Sequence, residues 1–163
     1  MHARDDSGRL TIYYVAHLGS TNVVNELLSM DESVDLNNAL FVAASAGHIS
    51  VMKEVISHCP SCFDHVNMLR RNVLHIAINR EQKAVIEYLL EECPTIVDRL
   101  IIQKDDEGNT PLHLLATSNC FVPKLIQHPM ADKGALNNEG FTPLDLVIHD
   151  DHKSSTPDAK VIP

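Results

Sequence analysis

The sequence predicts an all-α fold: a solenoid of helix–turn–helix units with finger loops, about five repeats long and with an incomplete last repeat. Two observations lead to this prediction. A short segment recurs along the 163 residues, and its first three copies are each followed, after a break, by apolar residues at helical spacing. An apolar fraction of 44% is enough for a buried core.

The clearest copies of the recurring segment lie in the second half of the chain. Residues 105–116 read Asp-Asp-Glu-Gly-Asn-Thr-Pro-Leu-His-Leu-Leu-Ala, and residues 137–146 read Asn-Asn-Glu-Gly-Phe-Thr-Pro-Leu-Asp-Leu. Each Thr-Pro predicts a helix start, because threonine can cap a helix and the missing N–H of proline is harmless in the first turn. Weaker copies give five registers in all, which start at Leu10, Asn38, Asn72, Thr110 and Thr142.

A second helix is predicted after each of the first three starts. The breaks are Gly19-Ser20, Gly47-His48 and Glu81-Gln82, and the apolar pairs that follow lie in residues 23–28, 51–56 and 85–90. Two apolar pairs three residues apart place one apolar stripe on a short helix. Each unit therefore reads as two antiparallel helices joined by a tight turn.

The later units depart from this pattern. Pro123 in the fourth unit predicts a second helix that is short or begins at that proline. Residues 91–104 are expected to extend the outer helices before the next loop. The fifth unit has no second apolar helix, so the tail or another molecule must cover Leu144, Leu146 and Val147. We predict a repeat domain over 1–152, with units near 5–36, 37–66, 67–104, 105–136 and 137–152, and a disordered tail over 153–163.

Composition excludes several classes of function. Thirteen Lys and Arg against 22 Asp and Glu leave a formal charge of −9, which disfavours nucleic acid as a partner. The longest uncharged stretch, residues 36–52, contains polar side chains that are costly in lipid, so we expect no direct membrane insertion. The first residues lack the apolar region of a secretory signal, which favours a cytoplasmic protein with cysteines that are free thiols or ligands.

The Thr-Pro-Leu-His at 110–113 and the Gly-His at 47–48 resemble the ankyrin repeat, and the resemblance covers about residues 5 to 150. It implies that His75 and His113 tie neighbouring loops together by hydrogen bonds. Segments 89–94, 108–116 and 137–146 look like plant ankyrin proteins of the accelerated-cell-death type. Proteins of that type carry a C-terminal membrane domain and act in defence at the plasma membrane.

The resemblance implies a non-enzymatic protein that binds other proteins. The most specific prediction from the resemblance is a small protein that binds the ankyrin domain of a larger membrane-anchored relative and modulates it. This protein would act in plant defence signalling, at the cytoplasmic face of the plasma membrane. One alternative is a scaffold that binds an unrelated partner on its concave face. Another is a self-assembling scaffold, in which Leu144 and Val147 are buried between like chains and the mass depends on concentration. The predicted partner-binding residues on the loops, the first helices and the fifth unit are Arg9, His17, Met68, Leu69, Arg71, Arg80, Phe141, Leu144 and Val147.

One motif offers a different chemistry. Cys59-Pro60-Ser61-Cys62 has the spacing of half a zinc site or of a redox pair, but a second half is missing. The repeat register aligns Cys59 with Cys93 and Cys62 with Ile96, which favours a packing role and leaves a zinc or redox protein as the less favoured alternative. No metalloprotease, phosphate-loop or nucleophile-elbow motif occurs in the sequence, and we expect no cofactor or metal.

Overall fold

The computed structural model describes residues 5–30 and 36–154, and it describes the side chains of residues 11–29 and 36–148. These residues form α-helices and one 3-10 helix, and the described part of the chain contains no strand. The α-helices are α1 (Asp5–Leu18), α2 (Thr21–Met30), α3 (Leu36–Ala46), α4 (Ile49–His58), α5 (Val73–Asn79), α6 (Lys83–Glu92), α7 (Pro94–Leu100), α8 (Pro111–Thr117), α9 (Pro123–Ile126) and α10 (Pro143–Ser154). The 3-10 helix is Pro60–Asp64.

The helices stack as a solenoid, as predicted. The first helices of successive units form one layer, in which α1 contacts α3, α3 contacts α5, α5 contacts α8 and α8 contacts α10. The second helices form an outer layer, in which α2 contacts α4 and α4 contacts α6. Because α3 is enclosed by units on both sides and by α4, all its residues from Ala39 to Ala44 are buried.

Polar side chains set the start of two of these helices. At α5, the Oδ1 atom of Asn72 accepts hydrogen bonds from the backbone N–H groups of Leu74 and His75, both at 3.0 Å. At α8, Thr110 and His113 form the equivalent reciprocal cap, and Pro111 occupies the first turn. Both caps satisfy amide groups that a helix cannot satisfy internally.

The irregular units follow the sequence expectations. Helix α9 begins at Pro123 and has four residues. The connection after α6 contains α7, whose buried Val97 and Leu100 extend the outer layer. Helix α10 runs to Ser154, two residues into the segment predicted as a tail, and the rest of that segment lies outside the described residues. Within the described chain, no second helix follows α10.

The cysteine prediction is wrong in one respect. Cys59 and Cys62 are joined by a disulfide, whereas the sequence favoured free thiols. Pro60 starts a 3-10 helix here, and residues three apart eclipse each other in that conformation, so the two Cα atoms lie 5.4 Å apart. The predicted packing position of Cys62 is observed, because its side chain is buried in the core.

None of the helices in the described part of the chain combines the length and the apolar character that crossing a bilayer requires.

Candidate functional site

Three finger loops project from the solenoid with one shared geometry. They span residues 67–71, 105–109 and 137–141, and their first residues are Asn67, Asp105 and Asn137, respectively. The first residue of each loop donates its N–H to the carbonyl oxygen of the fifth, at 2.9 to 3.0 Å. Its side-chain oxygen accepts the N–H groups of the third and fifth residues. The loops are therefore rigid turns that present their tips at regular intervals.

Hydrogen bonds join each finger to the next. The N–H of Asp106 donates to the carbonyl of Leu69 at 3.1 Å, and the N–H of Asn138 donates to that of Glu107 at 3.0 Å. The ring nitrogen Nε2 of His75 donates to the carbonyl of Asn109 at 3.0 Å, and that of His113 to the carbonyl of Phe141 at 3.1 Å. The structure thus shows the loop-tying role that the resemblance implied for these histidines.

Both histidine interactions require a neutral ring. Nδ1 of His75 accepts the N–H of Asn72 while Nε2 donates, so the ring must carry a single proton. Burial lowers the pKa of His75 from 6.5 to about 4, because the charged form loses its hydration. His75 is therefore a fixed structural element near neutral pH.

An ion pair adds to the finger contacts. Arg71 Nε donates to Asp105 Oδ2 at 2.9 Å, and the side chain of Asp105 is only 1% exposed. Arg71 was predicted to bind a partner, but its guanidinium group already holds two successive fingers together. The exposed side chains of this loop are two apolar ones, Met68 (98% exposed) and Leu69 (52% exposed), and the charged Arg70.

The other predicted loop and first-helix residues are spread along the molecule. His17 lies in the last turn of α1 and Arg80 follows the end of α5, and both side chains are exposed. Phe141 is half-buried at the base of the last finger. Arg9 lies in α1, with its side chain outside the described set. Met68, Leu69 and Arg71 share one finger, and the structure does not bring the others into a single cluster.

The groove between the last two fingers is polar. It has a volume of about 460 Å³, and its acidic residues are Asp106, Glu107 and Glu139. Leu114 and Leu146 are the apolar residues of its lining. A surface of this kind suits hydrogen-bonding or cationic groups of a partner.

A second groove at the end of the solenoid is apolar. It has a volume of about 550 Å³ and lies between α8, the 118–126 segment and α10. Its lining includes Leu112, Leu115, Phe121, Leu144 and Val147. This groove brings together two of the three residues that the sequence predicted to need a cover, whereas the third, Leu146, is half-buried and lines the groove between the fingers.

Three apolar side chains of α10 are exposed on this side. Leu144 is 65% exposed, Val147 is 40% exposed and Ile148 is 49% exposed. We call these three residues the C-terminal face. The other units bury the same repeat positions: the counterparts of Leu144 are Ile12, Leu40, Leu74 and Leu112, none of them more than 5% exposed.

The repeat architecture explains this exposure. In the first three units the first helix is covered by the second helix of the same unit, and every first helix before α10 is also covered by the first helix of the next unit. Neither cover follows α10 in the described residues. The C-terminal face therefore consists of apolar side chains like those of the core, but these side chains are exposed as in a binding surface.

Two residues of this region were missed by sequence reasoning. Phe121 is 70% exposed at the edge of the groove, and Ile148 belongs to the C-terminal face. Ile148 could have been found, because it follows Leu144 by four residues and shares its helical stripe. Phe121 carried a weaker signal: Asn119-Cys120 replaces the usual Gly-His directly before it, and the apolar segment 121–126 follows that break two residues sooner than its counterparts do.

The geometry bears on the two thiol chemistries considered from the sequence. The sulfurs of Cys59 and Cys62 are bonded to each other, which is the oxidised form of a redox pair and leaves no thiolate to bind zinc. Burial raises the pKa of the Cys93 and Cys120 thiols, which lowers their reactivity. Among the described residues, no three His, Cys, Asp or Glu side chains are grouped in a way that could hold a metal ion.

Comparison with known proteins places these features in a family context. The family profile described as ankyrin repeats in three copies matches residues 11–99. An ankyrin repeat protein of Rickettsia bellii (strain RML369-C) is 35% identical over 78 residues, which are 46% of this chain and 30% of that protein.

Two longer matches involve much larger proteins. The transient receptor potential cation channel subfamily A member 1 homolog of Caenorhabditis elegans is 32% identical over 115 residues, covering 70% of this chain and 9% of the channel. The protein ACCELERATED CELL DEATH 6 of Arabidopsis thaliana is 30% identical over 127 residues, covering 66% of this chain and 18% of its own length. The chain thus matches less than a third of the length of each of these relatives.

Proposed function

Because the chain belongs to the ankyrin-repeat family, we propose that it binds the ankyrin domain of a larger, membrane-anchored relative and modulates that protein in plant defence signalling. Ankyrin repeats indicate a protein–protein interaction module, and the family consists typically of non-enzymatic scaffolds. The proposal adds to that general role a binding surface on the chain, an ankyrin domain as the partner and plant defence signalling as the process.

One observation carries the proposal. Leu144 and Val147 are exposed at repeat positions that are buried in the inner units, and they line an apolar groove. Full burial of one such side chain contributes about 1.5 to 3 kcal/mol. Covering this surface is therefore a strong driving force for binding a partner that presents a complementary face.

An ankyrin array is a chemically suitable partner for the groove. In the inner units the equivalent surface packs against helices with paired apolar residues, such as Val85, Ile86 and Leu89 of α6. A second ankyrin domain presents a surface of the same type where its terminal repeat lacks a polar capping face. Docking would continue the solenoid from one chain into another.

The proposed setting, plant defence signalling at the plasma membrane, rests on sequence similarity. The chain resembles plant proteins of the accelerated-cell-death type in sequence, and one of its matches is ACCELERATED CELL DEATH 6. Another match is named as a cation channel homolog, which is also a larger protein with an ankyrin-like segment. Through such a partner the chain would act at the cytoplasmic face of the plasma membrane without inserting into it.

The test is a mass measurement by light scattering on the purified chain mixed with the soluble ankyrin region of a larger plant relative. A stoichiometric complex is expected with the natural sequence. Val147→Glu should abolish it, because the carboxylate would be buried without a partner. Ile102→Glu is the matched control, since Ile102 is 50% exposed on a loop away from the groove.

Circular dichroism and thermal unfolding must show that both variants keep the fold. A complex that Val147→Glu leaves unchanged would remove the C-terminal face from the proposal. Absence of any complex with the natural sequence would remove the proposed partner.

The exposed finger tip favours a second candidate function, in which an unrelated partner binds the concave side. Met68 is 98% exposed beside Leu69, and methionine adapts readily to different partner surfaces. In that case Met68→Glu should weaken binding to the partner while Val147→Glu leaves it unchanged. The same pair of variants therefore separates the two functions.

A further inference from the structure

The first helix of the solenoid exposes residues that the later units bury. Thr11 and Tyr14 of α1 are exposed, and Tyr14 is 59% exposed. The counterparts of Thr11 are buried in all four later units: Ala39, Val73, Pro111 and Pro143. The counterparts of Tyr14 are buried or half-buried: Val42, Ile76, Leu114 and Leu146.

This pattern identifies the surface that a preceding unit covers. The first helices of the four later units each follow another first helix of the stack, whereas α1 is the first described helix. Helix α10 shows the same pattern, although no unit follows it in the described chain. It contacts α8, its Pro143 is buried and its Leu146 is half-buried. The surface of Thr11 and Tyr14, which we call the N-terminal face, is thus the backward half of a repeat–repeat interface.

The C-terminal face is the forward half of the same interface. The counterparts of Val147 are buried or half-buried wherever another unit follows: Val15, Ala43, Ala77 and Leu115. The first and last described units therefore carry the two complementary halves of a junction that already occurs four times between them, at α1–α3, α3–α5, α5–α8 and α8–α10.

We propose that copies of this chain stack head to tail, with the N-terminal face of one copy on the C-terminal face of another. In this arrangement, helix α1 of the second copy packs on α10 of the first copy in the same way as α10 packs on α8 within one chain. The occupant of the junction is a second copy because the junction repeats the internal one. The inference rests on the C-terminal face that the proposed function also uses.

The geometry fixes the type of assembly. An interface between two different faces of the same chain is heterologous, so each added copy exposes a new face of the same kind. Growth does not stop at a dimer unless a ring closes. A tail-to-tail dimer would instead use the C-terminal face twice and leave Tyr14 free.

The experiment measures mass against concentration by sedimentation equilibrium on the 163-residue chain and two variants. The natural chain should show an average mass that rises with concentration past that of a dimer. Tyr14→Glu and Val147→Glu should each be monomeric alone, because each lacks one half of the junction. Mixed in equal amounts they should form a dimer and stop there, because only one intact pair of faces remains.

Two controls guard against misfolding and non-specific association. Ile102→Glu should associate like the natural chain, since Ile102 belongs to neither face. If either glutamate variant loses its helical circular dichroism, Tyr14→Ser and Val147→Ser replace the pair in the same mixing experiment.

Each remaining outcome has a clear meaning. A natural chain that stays monomeric at about 1 mM contradicts head-to-tail stacking, as does a Tyr14→Glu variant that dimerises alone. The proposed function is tested separately, because Tyr14→Glu retains the C-terminal face and should still bind the ankyrin region of the relative. Binding of the relative without self-association overturns this inference alone, and loss of both overturns both proposals.

Discussion

At the residue scale, the finger loops depend on a histidine that never becomes charged near neutral pH. His75 is fully buried, accepts one backbone N–H and donates to a carbonyl of the next finger. Sequence similarity alone implied this role. The pKa shift that accompanies it could not be derived from the sequence, because it depends on how completely the neighbouring unit excludes water.

The lowered pKa of His75 predicts a pH-dependent stability. The unfolded histidine titrates near 6.5 and the folded one near 4, so the unfolded state binds more protons between these values. The stability supplied by the neutral ring is complete above pH 6.5 and is lost as the pH falls toward 4, by up to about 3 kcal/mol. Urea unfolding at several pH values measures it, and His75→Gln should flatten this part of the profile. An unchanged slope in that variant would contradict the assignment.

A second residue-scale prediction concerns Arg70, which has a φ angle of 56°. The equivalent residues of the next two fingers are Gly108 and Gly140, both with positive φ. An L-residue in this conformation is disfavoured by about 1 kcal/mol, so Arg70→Gly should stabilise the protein by about that amount. Gly140→Ala is the reverse control, because a Cβ there meets no atom within 4 Å and only the φ angle is penalised. Denaturant midpoints of the two variants should move in opposite directions.

At the element scale, helix α5 is held at its start by one buried side chain. Asn72 caps α5 and also donates from Nδ2 to the carbonyl of Leu100 at 2.9 Å and to Oε1 of Gln103 at 2.8 Å. It therefore connects the first helix of the third unit to the end of α7.

Asn72→Ala should destabilise the fold by about 2 to 3 kcal/mol, since it removes the cap of α5 together with the hydrogen bonds that Asn72 donates to the Leu100 carbonyl and to Oε1 of Gln103. Asn79→Ala, at the exposed end of the same helix, should change the free energy of unfolding by less than about 0.5 kcal/mol. Equilibrium unfolding of both variants makes the comparison. Equal effects would mean that the cap is not what stabilises α5.

Elements with a strong local signal were predicted well. Pro123 set the start of α9, and the apolar residues after Glu91 indicated α7. The Cys59–Cys62 bond was missed because the repeat register aligned Cys62 with an apolar position, and register says nothing about the distance between two sulfurs. Phe121 was missed because it lies in the five-residue connection between α8 and α9, which is longer than the two or three residues that join the helices of the first three units, and its exposure depends on how that connection packs.

At the scale of the whole molecule, the repeated architecture accounts for both the core and the ends. Each interior unit buries its apolar positions against its neighbours, whereas the first described unit exposes Tyr14 and the last exposes Leu144 and Val147, at positions that are buried or half-buried in the interior units. The need to cover Leu144 and Val147 could be predicted by counting apolar helices in the sequence. The matching exposure of Tyr14 could not, because it required a comparison of accessibility across five units.

The solenoid also predicts an uneven stability along the chain. Each unit is stabilised by its neighbours, so the third unit should open least often and the terminal helices most often. Native-state hydrogen exchange should therefore show the strongest protection at the amides of α5 and α6 and the weakest in α10. Uniform protection over all units would contradict a stack held together by contacts between neighbours.

The most direct test of the proposed binding surface is hydrogen exchange of the chain with and without the soluble ankyrin region of a larger relative. We predict that the partner slows exchange in residues 143–148 and in α8, where the apolar groove lies, and leaves the 67–71 finger unchanged. Protection of the finger with no change in α10 would contradict the claim that the exposed end of the solenoid is the binding surface.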